Sequence, residues 1–283
     1  MTEPSEKYID LHMHTTASDG VTSPADLLEI VRKSGVSAFA VTDHDTFKGA
    51  IEIEKIINEN DPELITGVEL SAGIPGEDLH LLVYLIDWSS TKDGSNLTNA
   101  INDFQRMRNT RGQRIVESLN DLGLKIDFSE VEKIANGSPI GRPHIADAML
   151  KSGAVKSYDE AFWRWIGYKK PAYVEKENML PKEVIELAHK AGGLIFLAHP
   201  GVNDAEKAIE RLSKDGLDGV EIYHPSSNQA LRKRLREAAR KYELLISGGS
   251  DYHGRDDHHG RVGEEKVPYE LLEKMKERAA SCN

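Results

Sequence analysis

Short apolar runs alternate along this chain with longer segments whose apolar residues recur every three or four positions. The short runs predict β-strands and the longer segments predict helices. The first helix has a typical start at Ser23-Pro24, where serine is the N-cap and proline the first helical residue, and a typical end at Gly35. Predicted strands cover 8–12, 38–42, 64–70, 79–86, 193–198, 219–223 and 244–247, and further helices cover 47–58, 181–191, 204–214 and 228–242. This alternation favours βα units around a mainly parallel sheet, open or closed into a barrel.

The middle of the chain departs from this alternation. Between residues 94 and 168 the pattern is helical, with no convincing strand. We therefore predict a helical insertion, 94–174, in an α/β framework formed by 1–93 and 175–283. Four arginines of the insertion are interpreted as a solvated helix face: Arg106, Arg108, Arg111 and Arg114.

Composition and charge exclude several classes of protein. A hydrophobic content of 39% over 283 residues is that of a globular protein, not of a disordered chain. The net charge of −11, with no aromatic-basic groove evident, argues against binding of long double-stranded nucleic acid and favours short substrates. The one cysteine, Cys282, excludes a disulfide framework. The polar N-terminus and the short apolar runs predict a cytoplasmic protein without a membrane partner.

Histidines cluster at predicted strand ends. Seven of the 11 lie at such an end or in the turn after it: His12, His14, His44, His80, His199, His224 and His253. In βα architectures the carboxyl ends of the strands build the active site. We therefore expect these side chains to converge on one rim.

Carboxylates accompany these histidines. His12 and His14 are two positions apart on one strand, so both imidazoles point to the same face, and Asp251 and His253 repeat this spacing. Glu69 ends an apolar run and needs a cation or a hydrogen-bond donor as partner. The candidate ligands are six histidines and three carboxylates: His12, His14, His44, His80, His199, His253, Asp19, Glu69 and Asp251.

Nine nitrogen and oxygen donors without sulfur are too many for one ion. They predict two or three divalent ions, with Mn²⁺, Fe²⁺ or Zn²⁺ favoured over Ca²⁺. Clustered ions lower the pKa of bound water and clamp the oxygens of an in-line displacement. The predicted reaction is hydrolysis of a phosphate ester by a metal-bound hydroxide.

These motifs resemble those of the PHP (polymerase and histidinol phosphatase) family of metal-dependent phosphoesterases. The resemblance rests on motifs in the family's order, spanning residues 8 to about 263: Asp10-Leu11-His12-Met13-His14 with Asp19, Thr42-Asp43-His44, Gly67-Val68-Glu69 with His80, Ala198-His199-Pro200, and Asp251-Tyr252-His253. The segment Gly141-Arg142-Pro143-His144 is similar to the branch containing 3′,5′-nucleoside bisphosphate phosphatases and relatives that trim short RNA from the 5′ end.

The resemblance implies a distorted seven-stranded (β/α) barrel with three ions. One ion would be held by His12, His14, Glu69 and Asp251. Glu69 would also bridge to a second ion, held by His80 and His199. Asp19, His44 and His253 would hold the third.

Groups for the substrate are predicted outside the ligand set. Arg142 is the leading candidate because a guanidinium binds phosphate through two parallel hydrogen bonds. His144 is expected to contact the phosphate or to act as the acid for the leaving oxygen, and His224 to touch the phosphate. His189 is interpreted as structural, and His258 and His259 as solvated loop residues.

Four functions are compatible with these residues. The first is a small-nucleotide phosphatase that removes the 3′-phosphate of 3′,5′-nucleoside bisphosphates, and the second a 5′→3′ exonuclease on short RNA or DNA. The third is a silent metal-binding regulatory domain, which the complete ligand set argues against. The fourth is an amidohydrolase that cuts C–N bonds, which the Arg142-Pro143-His144 segment disfavours. The oligomeric state stays open.

Overall fold

The computed structural model describes residues 7–74, 77–88, 95–176, 179–201, 204–255 and 260–282. Strands of this part are β1 (Tyr8–Asp10), β2 (Ala38–Ala40), β3 (Glu63–Ile65), β4 (Gly67–Ile74), β5 (Glu77–Tyr84), β6 (Leu194–Leu197), β7 (Gly219–Tyr223), β8 (Leu245–Gly248) and β9 (Val267–Pro268). Its α-helices are α1 (Pro24–Ser34), α2 (Lys48–Glu54), α3 (Asn96–Asp121), α4 (Phe128–Ala135), α5 (Arg142–Lys151), α6 (Tyr158–Glu160), α7 (Pro181–Lys190), α8 (Ala205–Asp215), α9 (Gln229–Lys241) and α10 (Glu270–Cys282). A π-helical segment, Ala161–Ile166, follows α6 directly.

The strands form two sheets in a mixed α/β fold. The first has the order β3-β2-β1-β9 and the second the order β4-β5-β6-β7-β8. Pairs among β1, β2 and β3 and among β6, β7 and β8 are parallel, whereas β4–β5, β5–β6 and β1–β9 are antiparallel. The mainly parallel sheet predicted from the sequence is therefore correct for the first and last βα units and wrong around β4 and β5.

The two sheets meet along two lines of backbone contact. On one side the Leu11 amide donates to the Gly248 carbonyl at 3.2 Å, and Met13 forms an isolated parallel bridge with Tyr252. On the other side His44 and Glu69 form a parallel bridge, since the Glu69 amide donates to the Thr42 carbonyl at 3.2 Å. The second contact joins two candidate site residues, and Met13 and Tyr252 of the first each lie between two others along the chain, so the site lies at the junctions between the sheets.

The predicted strand 64–70 is in fact two strands that belong to different sheets. The chain leaves the first sheet after β3 and enters the second at Gly67. A β-carbon at Gly67 would lie 3.0 Å from Cγ2 of Thr42, so glycine permits this close approach of the sheets. His80 lies in the first half of β5, not at a strand end. It still faces the site because β5 runs antiparallel to both of its neighbours.

Helix α3 joins two hydrophobic cores. Its first half contributes Leu97, Ile101 and Phe104 to the core under the second sheet. Its second half contributes Ile115 and Leu119 to a separate core formed by residues between 115 and 174. The described residues from 96 to 166 are helical or in turns, without strand. The division into a framework and an insertion remains a prediction that these cores support.

The helix ends read from the sequence are present. The Ser23 hydroxyl accepts from the Asp26 amide at 3.2 Å, and Gly35 ends α1 with φ of 81°. No helix in the described ranges is both long and apolar enough to cross a membrane.

Candidate active site

The nine candidate ligands fall into four overlapping groups. Within each group one donor atom per residue lies within 4.8 Å of the others. The groups are His12-His14-Asp251, His12-Glu69-His199, His44-Glu69-His80 and His14-Asp19-His44-His253. Shared members connect all four groups, so the structure brings together every residue that the strand-end argument selected. His258 and His259 lie outside the described residues.

The donor atoms of the first group have the spacing of ligands around one ion. Nε2 of His12 lies 3.1 Å from Nε2 of His14 and 3.2 Å from Oδ1 of Asp251. Oε2 of Glu69 lies 3.3 Å and 3.2 Å from the same two nitrogens. Ligands held tetrahedrally at about 2.0–2.1 Å from an ion are separated by about 3.3–3.4 Å. The donors of His12, His14 and Asp251 lie 3.1–3.2 Å apart, close to this spacing, so they fit one transition-metal ion, and Oε2 of Glu69 lies beside the two histidine nitrogens.

The other oxygen of Glu69 faces two further histidines. Oε1 lies 2.9 Å from Nδ1 of His80 and 3.0 Å from Nε2 of His199. Nδ1 of His80 is buried and has no partner with hydrogen-bond geometry among the described residues, despite this short distance. A ligand nitrogen aimed beside a carboxylate oxygen fits a shared cation better than a hydrogen bond. The Glu69 carboxylate can therefore contact two ions at once.

Asp19 forms the third part of the site with His44 and His253. Its Oδ1 lies 3.4 Å from Nε2 of His253 and its Oδ2 lies 3.8 Å from Nε2 of His44. Nδ1 of His253 lies 2.8 Å from the Asp251 carbonyl, which only accepts, so this nitrogen carries the proton and Nε2 is left as a ligand. These donors also fit a divalent ion.

Electrostatics keep the carboxylates ionised. Burial acts to raise the pKa of Glu69, but electrostatic interactions with the surrounding histidines, led by His44 and His80, outweigh it and hold this pKa well below its ordinary value. Burial likewise opposes ionisation of Asp251, and the neighbouring His12 and His14 lower its pKa. Both carboxylates are therefore anionic ligands at neutral pH.

The sequence analysis did not select Glu221, which contacts two of the candidate ligand histidines on the side away from Glu69. This glutamate is fully buried in β7, and its Oε1 lies 2.9 Å from Nδ1 of His12. Its Oε2 accepts from the His199 amide at 2.7 Å. A signal was present, because an acid inside the apolar strand 219–223 needs a partner as much as Glu69 does.

Three aspartates of the same motifs organise the loops. Asp43 accepts from the Thr15 amide at 2.7 Å and from the Ser18 hydroxyl at 2.6 Å. Asp45 accepts from the Ser71 amide at 2.8 Å. Asp10 accepts from the Gly263 amide at 2.8 Å, and its burial raises its pKa to about 6. These contacts fix the turns that carry the ligands.

A cavity of about 1380 Å³ opens above the ligands, with a cationic wall. This cationic wall consists of Arg108, Arg111, Arg142 and Lys176. Burial, followed by repulsion from Arg142, lowers the pKa of Arg111 to about 10, and burial together with the charge of Arg108 lowers that of Lys176 to about 7. Closely spaced buried cations of this kind are stabilised by an anion.

The expected solvated face of α3 is wrong for two of its four arginines. Arg106 and Arg114 are exposed, but Arg108 donates to Asp45 and to the Ser71 hydroxyl, and Nη2 of Arg111 is buried without a partner in the described chain. The apolar face of α3 shows the reason. Phe104 and Ile115 lie on the buried stripe, and positions 108 and 111 continue it at spacings of four and three. Arginine inside an apolar stripe was the missed signal.

Arg142, predicted to serve the substrate, lines the cavity. Burial lowers its pKa, and it makes no hydrogen bond or salt bridge to any residue that the structure describes. Its guanidinium is therefore available to a ligand.

His144 and His224 are engaged elsewhere. Nδ1 of His144 accepts from the Gly141 amide at 3.0 Å, so Nε2 carries the proton that it donates to the Ser18 carbonyl at 3.0 Å. Nδ1 of His224 accepts from the Ser226 amide at 3.1 Å, so its Nε2 donates to Asp251 at 3.2 Å. Neither ring has a free nitrogen for a phosphate, which favours positioning roles over the predicted substrate contacts and over an acid role for His144.

The cavity wall also carries aromatic side chains, contrary to the sequence-based expectation. Tyr158, Phe162, Trp163 and Tyr168 line it together with the cationic wall. An aromatic and basic surface is therefore part of this cavity.

Comparison with known proteins agrees with this geometry. The family model described as PHP domain matches residues 10–279. A 5′-3′ exoribonuclease of Haemophilus influenzae is 34% identical over 254 residues, covering 88% of this chain and 90% of the relative. A 3′,5′-nucleoside bisphosphate phosphatase of Chromobacterium violaceum is 28% identical, covering 89% and 90%. A solved Bifidobacterium adolescentis protein described as a metal-dependent phosphoesterase superposes with a TM-score of 0.86 at 29% identity, covering 97% of each chain.

Proposed function

This chain belongs to the PHP domain family, and from this premise we propose a substrate and a metal content for it. It is a hydrolase of the phosphoesterase type. The substrate that we propose is a nucleotide with two phosphate groups, from which the 3′-phosphate of a 3′,5′-nucleoside bisphosphate is removed.

The observation that carries this proposal is the presence of two anion-binding zones in one cavity. The metal-ligand groups form one zone, and Arg111 and Arg142 of the cationic wall form the other. A monophosphate needs only the first zone. A nucleoside bisphosphate can occupy both, with the reacting phosphate at the ligands and the other phosphate at the guanidinium groups.

We propose two or three divalent ions, of Mn²⁺, Fe²⁺ or Zn²⁺, held as the family resemblance implies. His12, His14, Glu69 and Asp251 would hold one ion, Glu69, His80 and His199 a second, and Asp19, His44 and His253 a third. The spacing of His12, His14 and Asp251 supports the first ion, and the positions of the two Glu69 oxygens beside different histidines support a glutamate shared between ions. When bound, such ions lower the pKa of a water molecule and offset the charge of the reacting phosphate.

Residues of the chain have distinct tasks in this proposal. Glu69 keeps two ligand groups together through its two oxygens. Arg142 holds the phosphate that is not cleaved. His144 fixes the loop of Asp19 through the Ser18 carbonyl, and His224 orients Asp251. His144 and His224 thus act through other residues.

The barrel is also a proposal. The two sheets, joined through Leu11 and Gly248 on one side and Thr42 and Glu69 on the other, support a distorted seven-stranded barrel with a helical insertion at 94–174. The active site would lie at its rim.

A 5′→3′ exonuclease is the second candidate function. The exoribonuclease and the bisphosphate phosphatase that resemble this chain can be explained by one reacting unit, a nucleoside with a 5′-phosphate and a 3′ phosphate ester. Removal of a nucleotide from a 5′-phosphorylated strand and removal of a 3′-phosphate both break the 3′ ester of a 5′-phosphorylated nucleoside. One site can therefore perform both reactions if the cavity admits a longer strand. A silent regulatory domain is disfavoured because all nine donors are assembled.

The test compares 3′,5′-bisphosphoadenosine, 3′-AMP and 5′-AMP with Mn²⁺. We expect the bisphosphate to have the highest kcat/KM and 5′-AMP the lowest. Equal rates on all three would exclude the second anion zone from substrate recognition. Elemental analysis of protein purified without chelators should find at least two transition-metal ions per chain, and fewer than one, without rescue by added Mn²⁺, would refute the metal assignment.

A further inference from the structure

An aromatic surface continues the cavity wall beyond the arginines. It consists of Trp163 in the π-helical segment and Tyr168 just after it, and both side chains line the cavity. Trp163 is 60% exposed and Tyr168 is 53% exposed. Large aromatic side chains are usually buried for most of their area, so two exposed ones beside a phosphate site call for a ligand.

The local fold explains how these rings come to be exposed. Ala161 and Ile166 of the same segment are buried in the core of residues 115–174, and Trp165 packs against it, whereas Trp163 does not belong to it. The Gly167 amide then donates to the Phe162 carbonyl at 2.9 Å. A β-carbon at Gly167 would lie 2.4 Å from that oxygen, so this turn needs glycine. Packing in this core therefore does not explain the position of the Trp163 side chain.

Ring contacts connect this surface with the cationic wall. The Arg111 guanidinium lies 5.7 Å from the centre of the Tyr173 ring, and the Tyr173 and Tyr168 rings are 5.3 Å apart. Nζ of Lys169 lies 5.0 Å from the Tyr168 ring. Aromatic rings interleaved with cations form the surface on which single-stranded nucleic acids stack their bases and place their phosphates.

Resting on the proposed phosphoesterase function, we propose that Trp163 and Tyr168 stack the bases that follow the first nucleotide of a short single-stranded oligonucleotide. The first nucleotide occupies the cationic wall and the metal-ligand groups, and the strand leaves the cavity across the two rings. Continuity with the phosphate site and the positive charge of Lys169 favour a nucleic acid over a protein as occupant. The net charge of −11 disfavours an extended contact with a polyanion and so favours a short strand.

The test uses the Trp163→Ala/Tyr168→Ala double variant and two substrates with Mn²⁺: 3′,5′-bisphosphoadenosine and a 5′-phosphorylated pentaadenylate. We expect kcat/KM on the pentanucleotide to fall about 10- to 100-fold, as the loss of one or two stacked bases predicts. The bisphosphate, which has no second base, should change less than about threefold. Leu122→Ala removes a similarly exposed apolar side chain that does not line the cavity, and it should affect neither substrate.

An oligonucleotide with abasic sugars after the first nucleotide separates stacking from other effects. The kcat/KM of the wild-type protein should be lower on this substrate than on the normal pentanucleotide. The double variant should have the same kcat/KM on both. A ratio of pentanucleotide to bisphosphate kcat/KM that is the same in wild type and double variant would overturn the stacking proposal while leaving the phosphatase function intact.

A binding measurement tests base stacking on Trp163 and Tyr168 independently of turnover. Fluorescence anisotropy of the labelled pentanucleotide, with the full-length protein in EDTA, should show base-dependent affinity that the double variant lacks. If the wild type hydrolyses neither substrate, the proposed function fails, and this titration alone decides the stacking proposal. Equal affinities of wild type and double variant would reject it.

Discussion

Glu221 and His12 form a buried carboxylate–imidazole pair, with Oε1 of the acid 2.9 Å from Nδ1 of the ring. The pair fixes the proton on Nδ1, since Glu221 is an acceptor, and leaves Nε2 for the ligand group. The second oxygen of Glu221 accepts from the His199 amide. One carboxylate thus holds two histidines that reach Glu69 from the segments after β1 and β6. Partners of this kind raise the basicity of a histidine ligand and hold its ring in place.

The first prediction is that Glu221→Gln weakens metal binding. Glutamine can still accept from His12, but its amide group then faces the His199 amide, donor against donor. We expect Mn²⁺ affinity to fall about 10- to 100-fold, the usual effect of removing such a partner. Calorimetric titration of the metal-free protein with Mn²⁺ measures it. The exposed Glu237→Gln is the matched control, and equal affinities of the two variants would show that Glu221 has no such role.

The second prediction concerns Glu69. Its Oε2 lies 3.1–3.3 Å from nitrogens of His12, His14 and His44, and its Oε1 lies 2.9–3.0 Å from nitrogens of His80 and His199. A neutral amide cannot serve two cations, so Glu69→Gln should lose most of the activity and at least part of the bound metal. The circular dichroism spectrum should remain that of the wild type. Elemental analysis and the rate on 3′,5′-bisphosphoadenosine measure the effect. Near-normal turnover with full metal content would show that Glu69 does not bridge two ions.

The sequence predicted the convergence of the candidate ligands better than it predicted the arrangement of the strands that position them. His12 and His14, like Asp251 and His253, were selected by a spacing of two, and they lie just past the ends of β1 and β8, on either side of the bridged residues Met13 and Tyr252. His80 was selected for the wrong reason, because strand direction depends on pairing partners distant in the sequence. The direction of β5 could not be read from an apolar run alone.

The supporting residues were harder to find because their signals are single charged residues in apolar patterns. Arg108 and Arg111 were assigned to the surface, since a charged residue on a helix usually lies there. His144 was assigned to the substrate because its motif resembles a phosphate-binding segment. Only the positions of Gly141 and Ser18 around its two nitrogens favour a positioning role.

The third prediction is a pH dependence of stability from a pair outside the site. His189 lies 2.8 Å from Asp218, and this hydrogen bond raises the pKa of His189 above its ordinary value of 6.5. A raised pKa in the folded state stabilises the protein below about pH 6.5, and this contribution is lost as the pH rises through the folded-state pKa. The ring is 41% exposed, so we expect only about 0.2–1 kcal/mol.

Urea unfolding of wild type and His189→Gln at pH 5.5 and pH 8.5 measures this contribution. The unfolding free energy of the wild type should be higher than that of the variant, and this difference should be larger at pH 5.5 than at pH 8.5. Added salt should reduce the difference. In an Asp218→Asn background the pH dependence of the difference should vanish. If it persists there, the effect does not come from this pair.

The last prediction separates substrate binding from metal binding at Arg142. This guanidinium lines the cavity but belongs to none of the ligand groups, so Arg142→Ala should leave the metal content unchanged. Loss of a charge-assisted hydrogen bond costs about 1.5–3 kcal/mol, which corresponds to a fall in kcat/KM of roughly 10- to 100-fold. If Arg142 holds the phosphate that is not cleaved, 3′,5′-bisphosphoadenosine should suffer more than 3′-AMP. If it holds the reacting phosphate, kcat/KM should fall equally on both substrates and kcat should fall as well.

Arg106→Ala is the matched control, because the Arg106 side chain is 74% exposed, and it should leave kcat/KM on both substrates unchanged. An Arg142 variant as active as this control on every nucleotide would remove the second anion zone, and with it the reason to prefer a bisphosphate over other phosphate esters.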